Sequence, residues 1–206
     1  SKKSSLASST PNISPSAAAS NPYTQGLIQF QGFWIPSRHI LTSSIISFQK
    51  YFQAFDDDII VASKPKAGTT WLKALMKIYI ENSNPDLSKI PSPSLFSTHL
   101  TYPMLADSVK RLNCRIVYIT RNPFDIVVSS WHFTRGVHNL PDWSLEDCFE
   151  MFCRGEEGFG PFWDHALGYW NTSVEKPSNV LFMRYEELKE DPMAQTKRLA
   201  EFLGFP

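Results

Sequence analysis

The sequence contains few cysteines and no excess of charge of either sign. Its 206 residues include three cysteines, no two of which form a C-x-x-C pair: Cys114, Cys148 and Cys153. An odd, sparse count fits a reducing compartment and gives no disulfide framework. Twenty basic residues balance twenty acidic ones, so the formal net charge is +0. No global field attracts nucleic acid or acidic membranes, and any anion site must therefore be local.

Long hydrophobic runs are also lacking, which excludes a further class of protein. No apolar stretch approaches the ~18 residues that a membrane-spanning helix needs. Apolar residues still make up 42% of the chain, which is enough for a hydrophobic core. The length favours one domain over two.

The first 22 residues are rich in Ser, Ala and Pro and have no periodic pattern. Such a segment cannot bury enough apolar surface to order itself, so we expect a disordered tail over residues 1–22 and a folded domain over residues 23–206. No acidic residue precedes Asp56, which leaves a transit peptide as an alternative. The absence of arginine and of an amphipathic period in the tail argues against it.

Short apolar runs alternate with helical patterns along the rest of the chain. Strands are predicted within residues 57–64, 94–99, 113–121 and 179–185, and helices within residues 39–55, 69–82, 144–155, 160–172 and 191–205. A further helix is predicted to begin after Asn122 as N-cap, with Pro123 at its first position. Alternating strands and helices predict an α/β fold with three layers and a central, largely parallel sheet.

Four reactive or polar side chains follow the predicted strands: Lys66, His99, Arg121 and Tyr185. In parallel sheets, ligands bind beyond the carboxyl ends of the strands. We therefore expect these side chains to share one site.

The turn "KPKAGTT" (residues 64–70) joins a strand to a helix and has the properties of an anion site. Gly68 allows the backbone to approach a ligand closely, and the N–H groups at the start of the helix favour a phosphate. Thr69 and Thr70 add hydroxyl donors, and Lys66 adds a mobile positive charge. The turn lacks the order of a Walker motif. An ordinary strand–helix turn with surface lysines remains the alternative.

Arg121 and Ser129 lie eight residues apart after the predicted central strand, where the arginine suits a second phosphate. A salt bridge between Arg121 and Asp125 is the alternative interpretation. His99 has no metal partner at ligand spacing, and a lone histidine is more often structural than catalytic. No role is predicted for His39, His132, His138 or His165, and Trp131 and the aromatics of residues 159–170 are predicted to be core.

Four ordered motifs resemble those of the cytosolic sulfotransferase family, and the segments "FQGFW" and "DIIVASKPKAGTTWLKAL" resemble its plant soluble branch most closely. The four motifs are "KPKAGTTWLKAL", "STH", "RNPFDIVVSSWHF" and "RYEELKEDP", and the similarity runs from about Phe30 to Pro206. The resemblance implies a P-loop-like α/β domain in the cytoplasm. It also implies 3′-phosphoadenosine 5′-phosphosulfate (PAPS) as sulfuryl donor, no metal, and a small-molecule hydroxyl acceptor such as a phenol, flavonoid or steroid.

The resemblance also implies roles for individual residues. The turn would hold the 5′-phosphosulfate through Lys66, Ala67, Gly68, Thr69 and Thr70. Trp71 would stack on the adenine, Tyr185 would contact it, and Arg121 and Ser129 would bind the 3′-phosphate. His99 would be the general base, and Lys66 would stabilise the leaving phosphate oxygen.

The sequence departs from the family pattern in two places. The family continues beyond the position of Pro206 with an R-K-G segment that binds the 3′-phosphate, and it has a longer stretch before the position of His99. We therefore expect a chain that is incomplete at its C-terminus and shortened before His99. A catalytically inactive remnant with weak nucleotide binding is the alternative function, and a P-loop small-molecule kinase is a third.

Overall fold

The structure is a computed structural model that describes residues 26–38, 40–70 and 94–205. An antiparallel hairpin comes first, formed by β1 (Leu27–Phe30) and β2 (Phe33–Pro36). Its Trp34 N–H donates to the carbonyl of Gly160 at 2.9 Å. This bond attaches the hairpin to a distant loop that borders the site described below.

Four parallel strands form the central sheet in the order β4–β3–β5–β6. Their bounds are β3 (Ile59–Ser63), β4 (Leu95–Thr98), β5 (Arg115–Thr120) and β6 (Val180–Arg184). The unbroken apolar runs of β3 and β5 pair in register, with Ile60 opposite Ile116 and Val61 opposite Val117. Such runs are typical of parallel strands buried on both faces.

Seven α-helices lie within the described residues, together with a 3-10 turn at Tyr102–Met104. They are α1 (Thr42–Tyr51), α2 (Asp107–Arg111), α3 (Pro123–His138), α4 (Leu145–Cys153), α5 (Phe162–Glu175), α6 (Tyr185–Glu190) and α7 (Pro192–Leu203). Residues 69–70 are also helical, at the position where the helix after the turn is predicted to begin.

Helices cover both faces of the sheet. On one face Tyr118 of β5 packs with Tyr169 of α5 and with Phe48 of α1. On the other face Val117 packs with Leu199 and other apolar residues of α7. Each side chain of this size contributes about 1.5–3 kcal/mol when fully buried. The predicted three-layer α/β fold is thereby confirmed.

The predicted helix caps are confirmed as well. The Asn122 side chain accepts from the Phe124 N–H at 3.0 Å, with Pro123 at the first helical position. The Ser144 hydroxyl accepts from the Asp147 N–H at 3.0 Å. These bonds satisfy donors that a helix start leaves without an intrahelical partner.

The structure differs from the sequence predictions at several places. The hairpin and α6 were not predicted, and β5 ends at Thr120, one residue before Arg121. The predicted core aromatics Trp163 and Trp170 are 52% and 49% exposed, because α5 buries its opposite face against the sheet. Three sequence predictions lie outside the described residues: the tail of residues 1–22, the helix of residues 69–82 from Trp71 onward, and the shortening of the stretch before His99 as far as residue 93.

Candidate active site

A cavity of about 800 Å³ opens where the central strands end. The side chains predicted for the site that line this cavity are Lys66, Gly68, Thr69, Thr70, His99, Arg121, Ser129 and Tyr185. The structure thus brings together residues that span more than half of the chain. Ala67, also a residue of the turn, does not line the cavity. It is fully buried in a cluster with Ile126 and Val127 of α3.

The turn after β3 has a backbone that few residues can adopt. Gly68 has a φ of +109°, and a Cβ built on it would lie 2.8 Å from Cδ2 of Tyr185. Lys66 also has a positive φ, of 69°, which is uncommon for a residue with a side chain. Only glycine tolerates both the dihedral angle and the contact at position 68. The turn therefore runs directly beneath the Tyr185 ring.

The two threonines of the turn stand at the beginning of a helix. The hydroxyl of Thr69 hydrogen-bonds that of Ser63, the last residue of β3. The Ala67 N–H donates to the Lys64 carbonyl at 3.2 Å, so this group closes the turn rather than facing a ligand. Backbone N–H groups at the start of a helix favour an anion.

The two lysines of "KPK" have different environments. Lys64 is 2% exposed, and its ammonium donates to Oε2 of Glu157 at 2.9 Å and to the carbonyl of Gly158 at 2.9 Å. Burial lowers the pKa of Lys64, and burial likewise raises the pKa of Glu157. The alternative interpretation, an ordinary turn with surface lysines, therefore does not hold for Lys64. The charge that the cavity can use belongs to Lys66, whose Nζ lies 4.5 Å from the centroid of the Phe133 ring.

The ring of His99 is held by the backbone of β3. Its Nδ1 lies 2.8 Å from the carbonyl oxygen of Ser63. A carbonyl oxygen can only accept, so Nδ1 carries a proton, and in the neutral ring Nε2 then carries the lone pair. This tautomer gives His99 a basic nitrogen that is not the one bonded to β3.

A second buried histidine lies behind His99, and sequence reasoning assigned it no role. His165 of α5 is fully buried, with Nε2 3.0 Å from the His99 carbonyl and Nδ1 3.0 Å from the Tyr118 hydroxyl. Burial lowers the pKa of His165 to about 3. No local sequence signal reveals this contact, because its partners are 66 and 47 residues away.

Arg121 lies between an acid and an aromatic ring. It forms the salt bridge with Asp125 at 3.1 Å that the sequence left as an alternative. Its guanidinium also lies 5.0 Å from the centroid of the Tyr185 ring. The carboxylate of Glu186 accepts from the Asn122 N–H at 2.7 Å, which joins the residues next to Tyr185 and Arg121. An exposed pair such as Arg121–Asp125 is weak, so a phosphate could replace the carboxylate.

A second, smaller cavity of about 460 Å³ also reaches His99, and no residue of the turn lines it. Its walls are mostly apolar and aromatic, and they include Phe48, Phe52, Phe96 and Phe159. Apart from His99, none of the described residues that line it is ionisable. Such a cavity suits an apolar ligand with a polar group directed at the histidine.

The described residues contain no helix long and apolar enough to cross a membrane. Within the same parts of the chain, no three His, Cys, Asp or Glu side chains are grouped so that they could hold a metal ion.

The fold and the site belong to a known class of α/β proteins. The family model described as "Sulfotransferase domain" matches residues 74–206. The chain belongs to this family, which confirms the resemblance carried by its motifs. Among curated proteins, it is 39% identical to cytosolic sulfotransferase 15 of Arabidopsis thaliana, over 89% of this chain and 60% of that protein. It is 43% identical to cytosolic sulfotransferase 5 of the same plant, over 87% of this chain and 66% of that protein.

Solved structures give the same result. Mouse sulfotransferase SULT7A1, solved in complex with PAP, superposes with a TM-score of 0.76 and 31% identity, covering 87% of this chain and 69% of that one. A sulphotransferase of Arabidopsis thaliana superposes with a TM-score of 0.74 and 39% identity, covering 87% and 73%. The chain spans about three fifths to two thirds of the length of the first curated relatives that it matches.

Proposed function

We propose that the protein transfers the sulfuryl group of PAPS to a hydroxyl group of a small apolar molecule. The observation that carries this proposal is the convergence of the turn after β3, His99, Arg121 and Tyr185 on one cavity. The solved mouse relative was crystallised with PAP, the desulfated form of the donor. The names of the curated relatives favour action in the cytosol.

The donor would lie along the ends of the four strands. Gly68, Thr69 and Thr70 are suited to its 5′-phosphosulfate, because the glycine permits close approach and the helix start favours negative charge. Arg121 and Ser129 would bind the 3′-phosphate, with the guanidinium exchanging Asp125 for the phosphate. Tyr185 would contact the adenine. Trp71, predicted as the stacking platform for the adenine, follows directly after Thr70.

His99 and Lys66 would act on opposite sides of the transferred group. Nε2 of His99 accepts the proton of the acceptor hydroxyl while the hydroxyl oxygen forms a bond to sulfur. The bond between sulfur and the bridging phosphate oxygen breaks, and its electron pair stays on that oxygen as PAP leaves. Lys66 stabilises the developing negative charge, and the fixed positions of both partners supply much of the remaining acceleration.

The acceptor would occupy the second cavity. Its volume of about 460 Å³ and its ring of phenylalanines suit a phenol, a flavonoid or a steroid with the hydroxyl directed at His99. A charged acceptor would lack a partner among the described wall residues.

The test combines nucleotide binding with sulfate transfer. Purified protein is titrated with PAP by calorimetry and then supplied with labelled PAPS and separate panels of phenols, flavonoids and steroids. We expect binding of PAP and labelling of at least one acceptor. Lys66→Ala should lower the transfer rate about 10²- to 10³-fold, whereas Lys197→Ala, an exposed lysine on α7, should leave it unchanged.

Two other results would overturn the proposal. Binding of PAP without transfer to any acceptor would identify an inactive nucleotide-binding remnant. Thermal stabilisation by Mg²⁺ and ATP, but not by PAP, would favour a small-molecule kinase.

A further inference from the structure

Two side chains of α5 hydrogen-bond to the backbone that follows β4. Nε2 of His165 lies 3.0 Å from the carbonyl oxygen of His99. The Tyr169 hydroxyl donates to the next carbonyl, that of Leu100, at 2.8 Å. Residues 165 and 169 are one helical turn apart, so they present their polar atoms from the same face of α5. Two consecutive carbonyls at the proposed base are thus fixed by one helix.

The hydrogen bonds of His165 define its tautomer. The His99 carbonyl can only accept, so Nε2 of His165 carries the proton. Nδ1 is then an acceptor, and the hydroxyl of Tyr118, 3.0 Å away, must donate to it. The direction of the chain is Tyr118 to His165 to the His99 carbonyl. It links the central strand β5 through α5 to the segment that carries the proposed base.

Burying an imidazole at this position costs free energy, and the need to fill space in the core does not explain why it is there. His165, Tyr118 and Tyr169 are all fully buried. A polar group removed from water destabilises a protein unless it is hydrogen-bonded, and a leucine would fill similar space without that penalty. His165 satisfies both ring nitrogens, and one of the two bonds ends on His99. What the imidazole adds over a hydrocarbon is therefore the fixed position of the His99 backbone.

The ring of His99 depends on that backbone position. Its Nδ1 reaches the Ser63 carbonyl at 2.8 Å, and a shift of the main chain by a few tenths of an ångström would weaken this bond. Loss of the bond would let the second tautomer form, in which the proton lies on Nε2 and this nitrogen no longer accepts one. The placement of the backbone and the basicity of Nε2 are thus coupled.

We propose that His165 is a positioning residue for sulfuryl transfer. Together with Tyr118 and Tyr169, it fixes the His99–Leu100 backbone so that His99 keeps its proton on Nδ1 and its lone pair on Nε2. The inference rests on the proposed function for its catalytic meaning. The tautomer of His99 can be measured without any turnover.

The decisive experiment is NMR of the protein labelled with ¹⁵N-histidine, since the nitrogen shifts separate protonated from unprotonated ring nitrogens. In the wild-type protein His99 should show a protonated Nδ1 and an unprotonated Nε2. In His165→Leu both nitrogens of His99 should move toward averaged shifts, which indicates mixed tautomers. His165→Gln, which keeps an N–H donor, should restore most of the wild-type pattern. His132→Gln, an exposed residue of α3 outside both cavities, should change neither His99 shift.

A second variant covers the case in which His165→Leu does not fold. Tyr118→Phe removes a single hydroxyl and leaves His165 without its donor, so a smaller shift of the same sign is expected at His99. Retention of the pure Nδ1–H tautomer in the folded variants would overturn the proposal.

Measurements of kcat and of the Kd of PAP distinguish a failure of the positioning role from a failure of the proposed function. His165→Leu should lower kcat by about 10- to 100-fold and change the Kd of PAP less than twofold, because His165 does not line the larger cavity. An equal loss in PAP affinity would indicate general disruption and overturn the positioning role. If wild-type protein neither binds PAP nor transfers sulfate, the proposed function fails while the NMR result still decides whether His165 controls the tautomer of His99.

Discussion

The turn after β3 and the segment after β4 lie at the same edge of the sheet but are held in different ways. In the turn, Gly68 with its φ of +109° and the start of a helix set the conformation locally. In the other segment, His99 is held by a carbonyl 36 residues away and a side chain 66 residues away. The part of the proposed site that would hold the 5′-phosphosulfate is thus mainly a property of seven consecutive residues. The base side is a property of the packed core.

The largest expected effect concerns a long-range contact of the turn, and it tests whether local conformation alone holds the turn in place. Lys64 connects the turn to Glu157 and Gly158, more than 90 residues away. Lys64→Met leaves a buried carboxylate without its partner and should lower the free energy of unfolding by about 3–5 kcal/mol. Urea denaturation measures the loss.

Two controls accompany this prediction. The double variant Lys64→Met with Glu157→Leu should recover most of the stability, because a buried pair replaced by apolar groups costs little. Lys197→Met removes the exposed pair with Glu201 and should change stability by less than about 0.5 kcal/mol. A loss of similar size in Lys64→Met and Lys197→Met would show that the buried pair does not anchor the turn.

The next effect tests whether the backbone conformation at Gly68 is needed for stability and for PAP binding. Gly68→Ala places a Cβ 2.8 Å from Tyr185 in a backbone with φ of +109°, so we expect a loss of about 1–3 kcal/mol in stability and at least a tenfold weaker Kd for PAP. The matched control is Gly136→Ala in α3, where a Cβ meets nothing within 4 Å. That change should stabilise the helix by about 1 kcal/mol. Unchanged PAP affinity in Gly68→Ala would remove the close approach from the proposed site.

The smallest effect concerns the core behind His99 and appears as a pH dependence. Burial is the main cause that lowers the pKa of His165 from 6.5 to about 3. Between these values the unfolded chain binds a proton that the folded protein does not. Stability should therefore fall as the pH drops below 6.5, by at most about 1.4 kcal/mol per pH unit from this group. Unfolding free energies at pH 7, 6 and 5 measure the slope.

Two variants isolate the contribution of His165 to that slope. His165→Gln should lower the slope of unfolding free energy against pH by up to about 1.4 kcal/mol per pH unit, the equivalent of one proton. The group that takes up a proton only in the unfolded state is absent from this variant. Gly136→Ala, which removes no ionisable group, should keep the wild-type slope. Equal slopes in the two variants would contradict a buried neutral His165.

Much of the fold could be predicted from sequence patterns, and so could the turn of residues 64–70 in the candidate site. The apolar runs of β3 and β5, the N-caps Asn122 and Ser144, and the glycine of the turn each follow from interactions between residues close in the chain. The hairpin, α2 and α6 were not predicted. The partly exposed Trp163 and Trp170 were placed in the core because an aromatic-rich helix does not by itself reveal which face meets the sheet.

The sequence by itself determined the alternation of strands and helices, the turn of residues 64–70 and the order of motifs that places the chain in the sulfotransferase family. These depend on local backbone preferences and on residue types at fixed spacing. Only the tertiary structure decided that Lys64 is buried against Glu157, that Nδ1 of His99 meets the Ser63 carbonyl, and that His165 meets the His99 carbonyl. Hydrogen-bond partners 36 to 94 residues apart meet only when the sheet and its helices pack, and no local pattern specifies that meeting.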